Sequence, residues 1–308
     1  MISIIIPFYN EEESLPALIN QCVNELKTFK DAWEIILVDD GSNDSSKLKV
    51  SHFVPLGGTS RDKQSEQIKL ISHRKRFGKG KALQTGIDNS SGDVIVFMDG
   101  DLQDDPEDLK KFIDKLNQGY DFVNGIRVKR QENIVVKAYS FFAKIFLHTF
   151  LRSPFTDINC GFKAFRKTVL EEIVLYGNNF RFLPLAAYYQ GFKVTEITVN
   201  NRSRQFGQSK FGSKKLIGGI FDTLTAYFVY RFAEKPLHFF GPIGGTMLFT
   251  GSLISVVLAY ERIFYGSLLY RRPMLFLGIL LIIVGVQIVM TGIVGELIVY
   301  LNKKSNIR

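Results

Sequence analysis

The chain has 308 residues, 46% of them hydrophobic, and carries a net charge of +9. That length allows one large domain, or one domain with a small added module, and the only two cysteines, Cys22 and Cys160, are far apart and read as reduced thiols, not a disulfide framework. The basic balance admits nucleic acid, anionic lipid or a phosphorylated substrate as partner.

In chain order, residues 2–6 form a β-branched apolar run closed by Pro7 and are expected to be a buried strand. Residues 14–29 carry apolar side chains at helical spacing behind an acidic turn, which predicts a helix. Residues 34–38 predict a second buried strand, ended by Asp39-Asp40-Gly41-Ser42. Residues 47–69 are polar and irregular and read as a long surface loop. A third strand is expected over 68–72, a helix over 80–89, and a fourth strand over 94–98 that runs directly into Asp99-Gly100-Asp101. Residues 106–117 predict a helix with an acidic first turn, and 121–124 a further strand. This alternation implies a mostly parallel sheet with helices on both faces, and polar clusters follow the strand ends, where open α/β sheets bind ligands.

The C-terminal part differs. Residues 134–151 are rich in Phe, and 214–232 mix Tyr, Phe and Leu with basic ends. Both read as amphipathic helices lying in a membrane interface, the alternative being ordinary core packing. Residues 236–260 and 273–295 contain no Asp, Glu, Lys or Arg, and each run exceeds the ~20 apolar residues that a bilayer-crossing helix needs. The N-terminus lacks the basic and long apolar regions of a signal peptide, so the first 235 residues are expected to stay on the cytoplasmic side of the inner membrane. The expected organisation is a catalytic domain over 1–213, a juxtamembrane helix over 214–235, two spanning helices within 236–301 and a cytoplasmic tail over 302–308. Two spans already place the chain at a bilayer, so membrane is preferred to nucleic acid as partner, and lone spans can also pack against copies of themselves as a homo-oligomer.

The strongest chemical signal is Asp99-Gly100-Asp101-Leu102-Gln103 at the end of an apolar strand. Two carboxylates one residue apart on such a turn can face one point, and their oxygens suit Mg²⁺ or Mn²⁺ with positions left open for substrate phosphates. Asp39-Asp40 can accept hydrogen bonds from a base or ribose, or serve only as turn and cap. In Pro7-Phe8-Tyr9-Asn10-Glu11, Tyr9 can stack on a base and Glu11 can bond a ribose. No Gly-x-Gly-x-x-Gly follows the first strand, the Gly78-Lys79-Gly80-Lys81 stretch is not a P-loop, and no Cys/His spacing suits zinc.

Taken together, Pro7 to Glu11, Val38-Asp39-Asp40-Gly41-Ser42 and Asp99 to Gln103 with Pro106-Glu107 resemble the inverting family-2 glycosyltransferases of the GT-A fold. The resemblance continues through Gly125-Ile126-Arg127, Asp157-Ile158-Asn159-Cys160-Gly161-Phe162, and Arg202 with Gly207-Gln208-Ser209-Lys210. Within that family the chain looks like the polyprenyl-phosphate glycosyltransferases, relatives of dolichol-phosphate mannose synthase. The two C-terminal spans most resemble the bacterial bactoprenol-phosphate glucosyltransferase branch.

This resemblance implies a nucleotide-sugar donor, with UDP-glucose expected and GDP-mannose as alternative, and a polyprenyl phosphate acceptor. It implies that Asp101 and Gln103 hold the metal, with Asp99 near the metal or ribose. Pro7, Tyr9, Asn10, Glu11, Asp39 and Asp40 would line the nucleoside pocket. Arg127, Arg202 and Lys210 would hold phosphates of donor or acceptor, and Asp157 would lie close to the reacting sugar. A processive polysaccharide synthase of the same superfamily would need a Gln-x-x-Arg-Trp motif, which a chain whose only tryptophan is Trp33 cannot carry. A non-catalytic membrane scaffold is the alternative of another class; it has no need of intact acidic and basic sites.

Overall fold

The computed structural model describes residues 1–54, 67–127, 153–171, 173, 179–202, 213–266 and 273–305, without the side chains of 213–221. The expected interfacial helix over 134–151 lies outside the described residues, as do Lys210 and 55–66. By its packing the chain divides into Met1–Thr223 and Leu224–Arg308.

In the first unit, strands β1 (Ile2–Phe8), β2 (Trp33–Asp39), β3 (Ile68–Ser72), β4 (Val94–Phe97), β5 (Phe122–Arg127), β6 (Lys163–Arg166) and β7 (Val194–Val199) form one sheet in the order β3-β2-β1-β4-β6-β5-β7. Pairings β1–β2, β1–β4, β2–β3 and β5–β7 are parallel, whereas β6 runs antiparallel to both β4 and β5. β1 and β2 are buried at every residue, as continuous apolar runs covered on both faces must be.

The helices are α1 (Leu15–Leu26), α2 (Ser46–Ser51), α3 (Lys79–Asp88), α4 (Leu109–Asn117, entered through a 3₁₀ turn at Pro106–Asp108) and α5 (Leu183–Tyr189). α1 buries Leu15, Leu18, Ile19, Cys22, Val23 and Leu26, the stripe that helical spacing puts on one face. Aromatic rings tie β6 into the core: Phe165 stacks on Phe122 at 5.2 Å and meets Phe97 edge-on at 5.0 Å. Cys22 and Cys160 are both buried free thiols, and burial pushes each up to about 12, so both are inert at neutral pH.

The structure corrects the expectation of a loop over 47–69. Ser46–Ser51 is helical, because Val50 finds a place in the core and Ser46 is buried beneath the first strand-end loop, where its hydroxyl accepts from Glu11 N at 2.8 Å. Strands β6 and β7 and helix α5 add to the elements read from sequence.

The second unit holds the part of α6 (Ser213–Phe232) that follows Thr223, then α7 (Leu237–Tyr265) and α8 (Pro273–Ser305). Phe228 and Phe232 of α6 pack on Phe239 of α7 at 5.3 and 5.2 Å. α7 and α8 have 29 and 33 residues, long and apolar enough to cross a bilayer. Their outer faces leave Phe249, Phe276 and Ile263 71%, 67% and 75% exposed, which no core helix of a water-soluble domain does. Glycines set their approach. A Cβ at Gly244 would lie 2.7 Å from Gly285 O, and one at Gly251 would lie 2.6 Å from Gly278 O. Small residues at a seven-residue interval thus let the two backbones touch, the close approach that helices packing in lipid commonly use. Glu296 accepts from Leu237 N at 3.3 Å, satisfying an orphan donor at the start of α7.

Glu34 joins three elements of the sheet. Ser3 Oγ and Ser91 N both donate to its Oε1 at 2.6 Å, and Lys69 Nζ lies 2.7 Å from Oε2. Burial pushes this carboxyl up, but those donors outweigh it and hold it below the ordinary glutamate value. A depressed carboxylate stabilises the fold above the pKa it has when unfolded, and loses that contribution as pH falls through its folded value. Glu34→Gln should therefore lower stability at neutral pH by about 1–3 kcal/mol. Unfolding curves of the two proteins in detergent should converge as the pH is taken down through the lowered folded-state value of Glu34.

Candidate active site

The carboxyl-terminal ends of the parallel strands share one edge of the sheet, and the polar clusters gather there. β1 delivers Tyr9, Asn10 and Glu11; β2 delivers Asp39 and Asp40; β3 delivers His73; β4 delivers Asp99 and Asp101; β5 ends on Arg127 itself. Because β6 is antiparallel, its first residue Lys163 and the segment before it, which carries Asp157, reach the same edge. The segment after β7 brings Arg202.

On the nucleoside side, Asp40 is a hub. Its Oδ1 accepts from Phe77 N at 2.8 Å and pairs with His73 Nδ1 at 3.0 Å, and its Oδ2 accepts from Gly78 N at 2.8 Å. Nε2 of His73 meets Thr85 Oγ1 at 3.0 Å. Asp40 thus holds the 73–78 loop closed, a role that the turn reading of this motif did not include. Asp39 Oδ1 accepts from Ser42 N at 2.8 Å. Pro7 is buried within β1 opposite Val38. The Tyr9 ring lies under the Arg76 guanidinium, 4.2 Å from its centroid, a cation–π contact on the face expected to meet a base. Asn10, at φ 55°, spends its amide on Asn43, donating to Oδ1 at 2.6 Å and accepting from Asn43 N at 3.0 Å. Asn10 therefore stitches two strand-end loops together. Ser14 Oγ donates to Gly100 O at 2.8 Å and lies 3.2 Å from the Glu11 carboxylate, linking the start of α1 to the acidic turn.

In the acidic turn, Lys79 at the start of α3 forms an ion pair with Asp99 Oδ1. Burial alone would raise the Asp99 pKa; Lys79, Arg127 and Lys163 outweigh it and hold the carboxyl below its ordinary value. Leu102 has φ 61°, a left-handed conformation costly for a branched residue, and its side chain is anchored in the core. The bend turns Asp101 back, so that its Oδ1 accepts from Gln103 N at 3.3 Å. Asp104 is buried and accepts from Asp99 N at 3.1 Å; burial and the nearby Asp99 and Asp101 charges push it up to about 7. Arg202 braces this turn: its backbone N donates to Gln103 O at 2.9 Å, and its guanidinium donates to Asp105 Oδ1 at 2.6 Å and Gln21 Oε1 at 2.7 Å.

Arg127 grips Asp157 with two parallel hydrogen bonds, Nε to Oδ2 at 3.0 Å and NH2 to Oδ1 at 3.3 Å. Burial would lower the Arg127 pKa, but its bonds to Asp157 reverse that and hold it above the ordinary value. The pair belongs to the same site as the acidic turn, since Gly161 packs directly on Asp99 and the Arg127 charge acts on that carboxyl.

The donor set suits a hard divalent cation. Asp99 and Asp101 offer carboxylate oxygens on one turn, and a lysine ammonium already rests on Asp99. Among the described residues no group of three His, Cys, Asp or Glu could hold a metal by itself. Mg²⁺ or Mn²⁺ here would take one or two carboxylates and complete its shell with diphosphate oxygens and water, as such ions commonly do.

Sequence reading left out Lys79, Asp104, Asn124, Lys163 and Glu196, which the fold brings to this edge. Gly161 shows how tightly they are set. A Cβ there would stand 2.5 Å from Asp99 Oδ2 and 2.8 Å from Cγ, and the three atoms nearest to it all belong to that side chain, so a substitution must displace the Asp99 carboxylate. Gly161→Ala should fold with a shift in Tm of only a few degrees and lose at least about tenfold in turnover, equivalent to about 1.4 kcal/mol of barrier. Thermal unfolding and turnover measured on the same preparation check it.

Comparison with known proteins agrees with this geometry. Residues 3–174 match the glycosyl transferase family 2 model. The chain is 30% identical over 301 residues to dodecaprenyl-phosphate galacturonate synthase of Rhizobium johnstonii, covering 96% of this chain and 87% of that one. It is 31% identical over 298 residues to undecaprenyl-phosphate 4-deoxy-4-formamido-L-arabinose transferase of Yersinia pestis, covering 96% and 88%. Among solved structures, glucosyl-3-phosphoglycerate synthase of Mycobacterium tuberculosis, in complex with Mn²⁺, UDP-glucose and phosphoglyceric acid, superposes with a TM-score of 0.58 at 17% identity, over 74% of this chain and 79% of that one. That likeness establishes the GT-A fold. The chain belongs to glycosyl transferase family 2, on its polyprenyl-phosphate glycosyltransferase branch.

Proposed function

We propose that this chain transfers a sugar from a nucleoside diphosphate to a polyprenyl phosphate, with inversion at the anomeric carbon. The observation that carries the reading is the meeting, on one sheet edge, of the Asp99–Asp101 turn and the Arg127–Asp157 pair, in a chain whose C-terminal helices are long enough to span a bilayer. The names of the two relatives support the acceptor class. They also differ in sugar, galacturonate in one and 4-deoxy-4-formamido-L-arabinose in the other. For this chain the donor expected from sequence is UDP-glucose, and a panel of nucleotide sugars assayed with one polyprenyl phosphate identifies it.

In this reading Tyr9 and Arg76 flank the base, and Asp39, Asp40 and Glu11 shape the nucleoside pocket. Asp99, Asp101 and Gln103 would hold Mg²⁺ or Mn²⁺, which when bound supplies positive charge to a diphosphate. Lys79, now on Asp99, sits where it can turn to the same phosphates. Arg127 offsets the repulsion between two phosphate-bearing substrates and fixes the line of attack. Lys210 and Arg202 are assigned to phosphates as well, with Arg202 in addition bracing the acidic turn. Asp157 is an orienting group, since both of its oxygens already accept from Arg127. No strong general base is needed: a phosphate monoester has a second pKa of about 6 and is mostly dianionic at neutral pH. A sugar hydroxyl acceptor would need one.

Asp101→Asn should cut turnover by about 10²–10³-fold while leaving the fold intact, and excess chelator should do the same to the wild type. Full turnover in chelator refutes the metal assignment. If wild-type protein with lipid phosphate releases no nucleoside diphosphate from any donor of the panel, the scaffold reading prevails. We further propose that residues 1–213 form the catalytic domain, that 214–235 lie along the membrane surface, and that α7 and α8 return the chain to the cytoplasmic face. Lys303 and Lys304 at the end of α8 fit that orientation. A reporter fused after Arg308 should therefore behave as cytoplasmic, and a periplasmic signal would overturn the topology.

A further inference from the structure

Lys163 opens β6 and is only 1% exposed, yet among the described residues no carboxylate touches it. Its Nζ donates to Asn124 Oδ1 at 2.8 Å, to Ile158 O at 3.0 Å and to Cys160 O. Burial pulls this ammonium down to about 8, which leaves it charged at neutral pH. A buried cation held only by neutral acceptors is expensive, and a leucine would fill the position more cheaply. The counter-charge stands one residue further on. Asn124 Nδ2 donates to Glu196 Oε1 at 3.0 Å and to Asp157 O at 2.9 Å. Glu196 in turn accepts from Thr156 N and Thr156 Oγ1, both at 2.8 Å, and from Asp157 N at 3.4 Å.

The two charges therefore grip one turn from opposite sides. Glu196 takes the amide hydrogens at 156 and 157, Lys163 takes the carbonyls at 158 and 160, and Asn124 takes the carbonyl at 157 while passing polarisation between them. We infer that Lys163, Asn124 and Glu196 are positioning residues, a charged relay through one amide that fixes the 156–160 turn and so holds Asp157 and its partner Arg127 in register with the acidic turn. The inference rests on the proposed transfer reaction for its catalytic consequence, but its structural content stands apart from it. None of the three is hydrogen-bonded to the acidic turn; the Lys163 charge does bear on Asp99, so Glu196, which acts through the 156–160 turn, is the arm that isolates positioning.

The test uses the full-length protein in detergent, with Lys163→Met, Glu196→Gln, the double variant, and Lys167→Met as control; Lys167 donates to Ser90 O away from this turn. Hydrogen exchange of the peptide covering 153–162 should speed up at least about tenfold in both single variants and stay unchanged in the control. Turnover should fall at least about tenfold in each, with KM for the nucleotide sugar within about threefold of wild type. Because the charges act as a unit, the double variant should lose far less than the product of the single losses. Should Lys163→Met fail to fold, Glu196→Gln, which keeps its shape, carries the same exchange and kinetic tests. Unchanged exchange in the turn overturns the relay. So do losses confined to Tm, and so do single losses that simply multiply. If wild-type protein transfers no sugar to polyprenyl phosphate, the function reading fails, and the exchange measurements still decide for or against the relay.

Discussion

Carboxylates that converge on one edge of a sheet repel one another, and Asp39, Asp40, Asp99, Asp101, Asp104, Asp105, Asp108 and Asp157 are all brought to or near this edge. Most of the surrounding structure answers that repulsion. Asp40 is met by His73 and two backbone amides, Asp99 by Lys79, Asp105 by Arg202, Asp108 by Lys111 and Asn200 N, and Asp157 by Arg127. Among the described residues no cation pairs with Asp104, and burial and its neighbours' charges lift its pKa to about 7. In the proposed reaction these partners would be exchanged within the loops, without moving the sheet, as a dication and a diphosphate enter.

The antiparallel strand β6 makes that balance possible. An all-parallel sheet delivers only the residues that follow its strands to the binding edge. Reversing one strand between β4 and β5 adds the residues that precede it, and those include Asp157 and Gly161. Arg127 at the end of β5 and Asp157 before β6 are then neighbours because of strand direction, although 30 residues separate them in sequence. The same reversal places Lys163 in the sheet directly below the turn.

The parts of this arrangement that follow local rules were legible in the sequence. β3 occupies the residues expected of it, the other early strands differ only at their ends, and the acidic turn stands where an apolar strand stops. Two long uncharged runs became two helices of bilayer length. What escaped was settled by partners far along the chain. β6 is four residues, Lys-Ala-Phe-Arg, too short for an alternation and opened by a lysine that no pattern would bury. β7, Val-Thr-Glu-Ile-Thr-Val, does have a β-branched strand's composition, but its Glu196 gains a meaning only when Asn124 and Thr156 arrive beside it. Asp40 and Asn10 were read as ligand-facing, and the fold shows both holding loops together first. Strand-end polar residues in one sequence do not reveal whether they face a ligand or each other.

The same distinction bears on the chemistry. An enzyme that must deprotonate a hydroxyl keeps a carboxylate or imidazole within reach of it, with a lone pair to spare. Here Asp157 is held by a bidentate arginine on one side and by the amide of Asn159 at 3.2 Å on the other. Its backbone is fixed by Asn124 and Glu196. A group so thoroughly occupied is built to stay still. That favours a nucleophile that arrives already ionised, as a lipid phosphate does, and it moves the protein's task from taking a proton to bringing two anions together. The basic residues at this edge, Arg127 foremost, are then the ones whose geometry matters most. In the proposed reaction Arg127 gets that geometry from its two hydrogen bonds to Asp157.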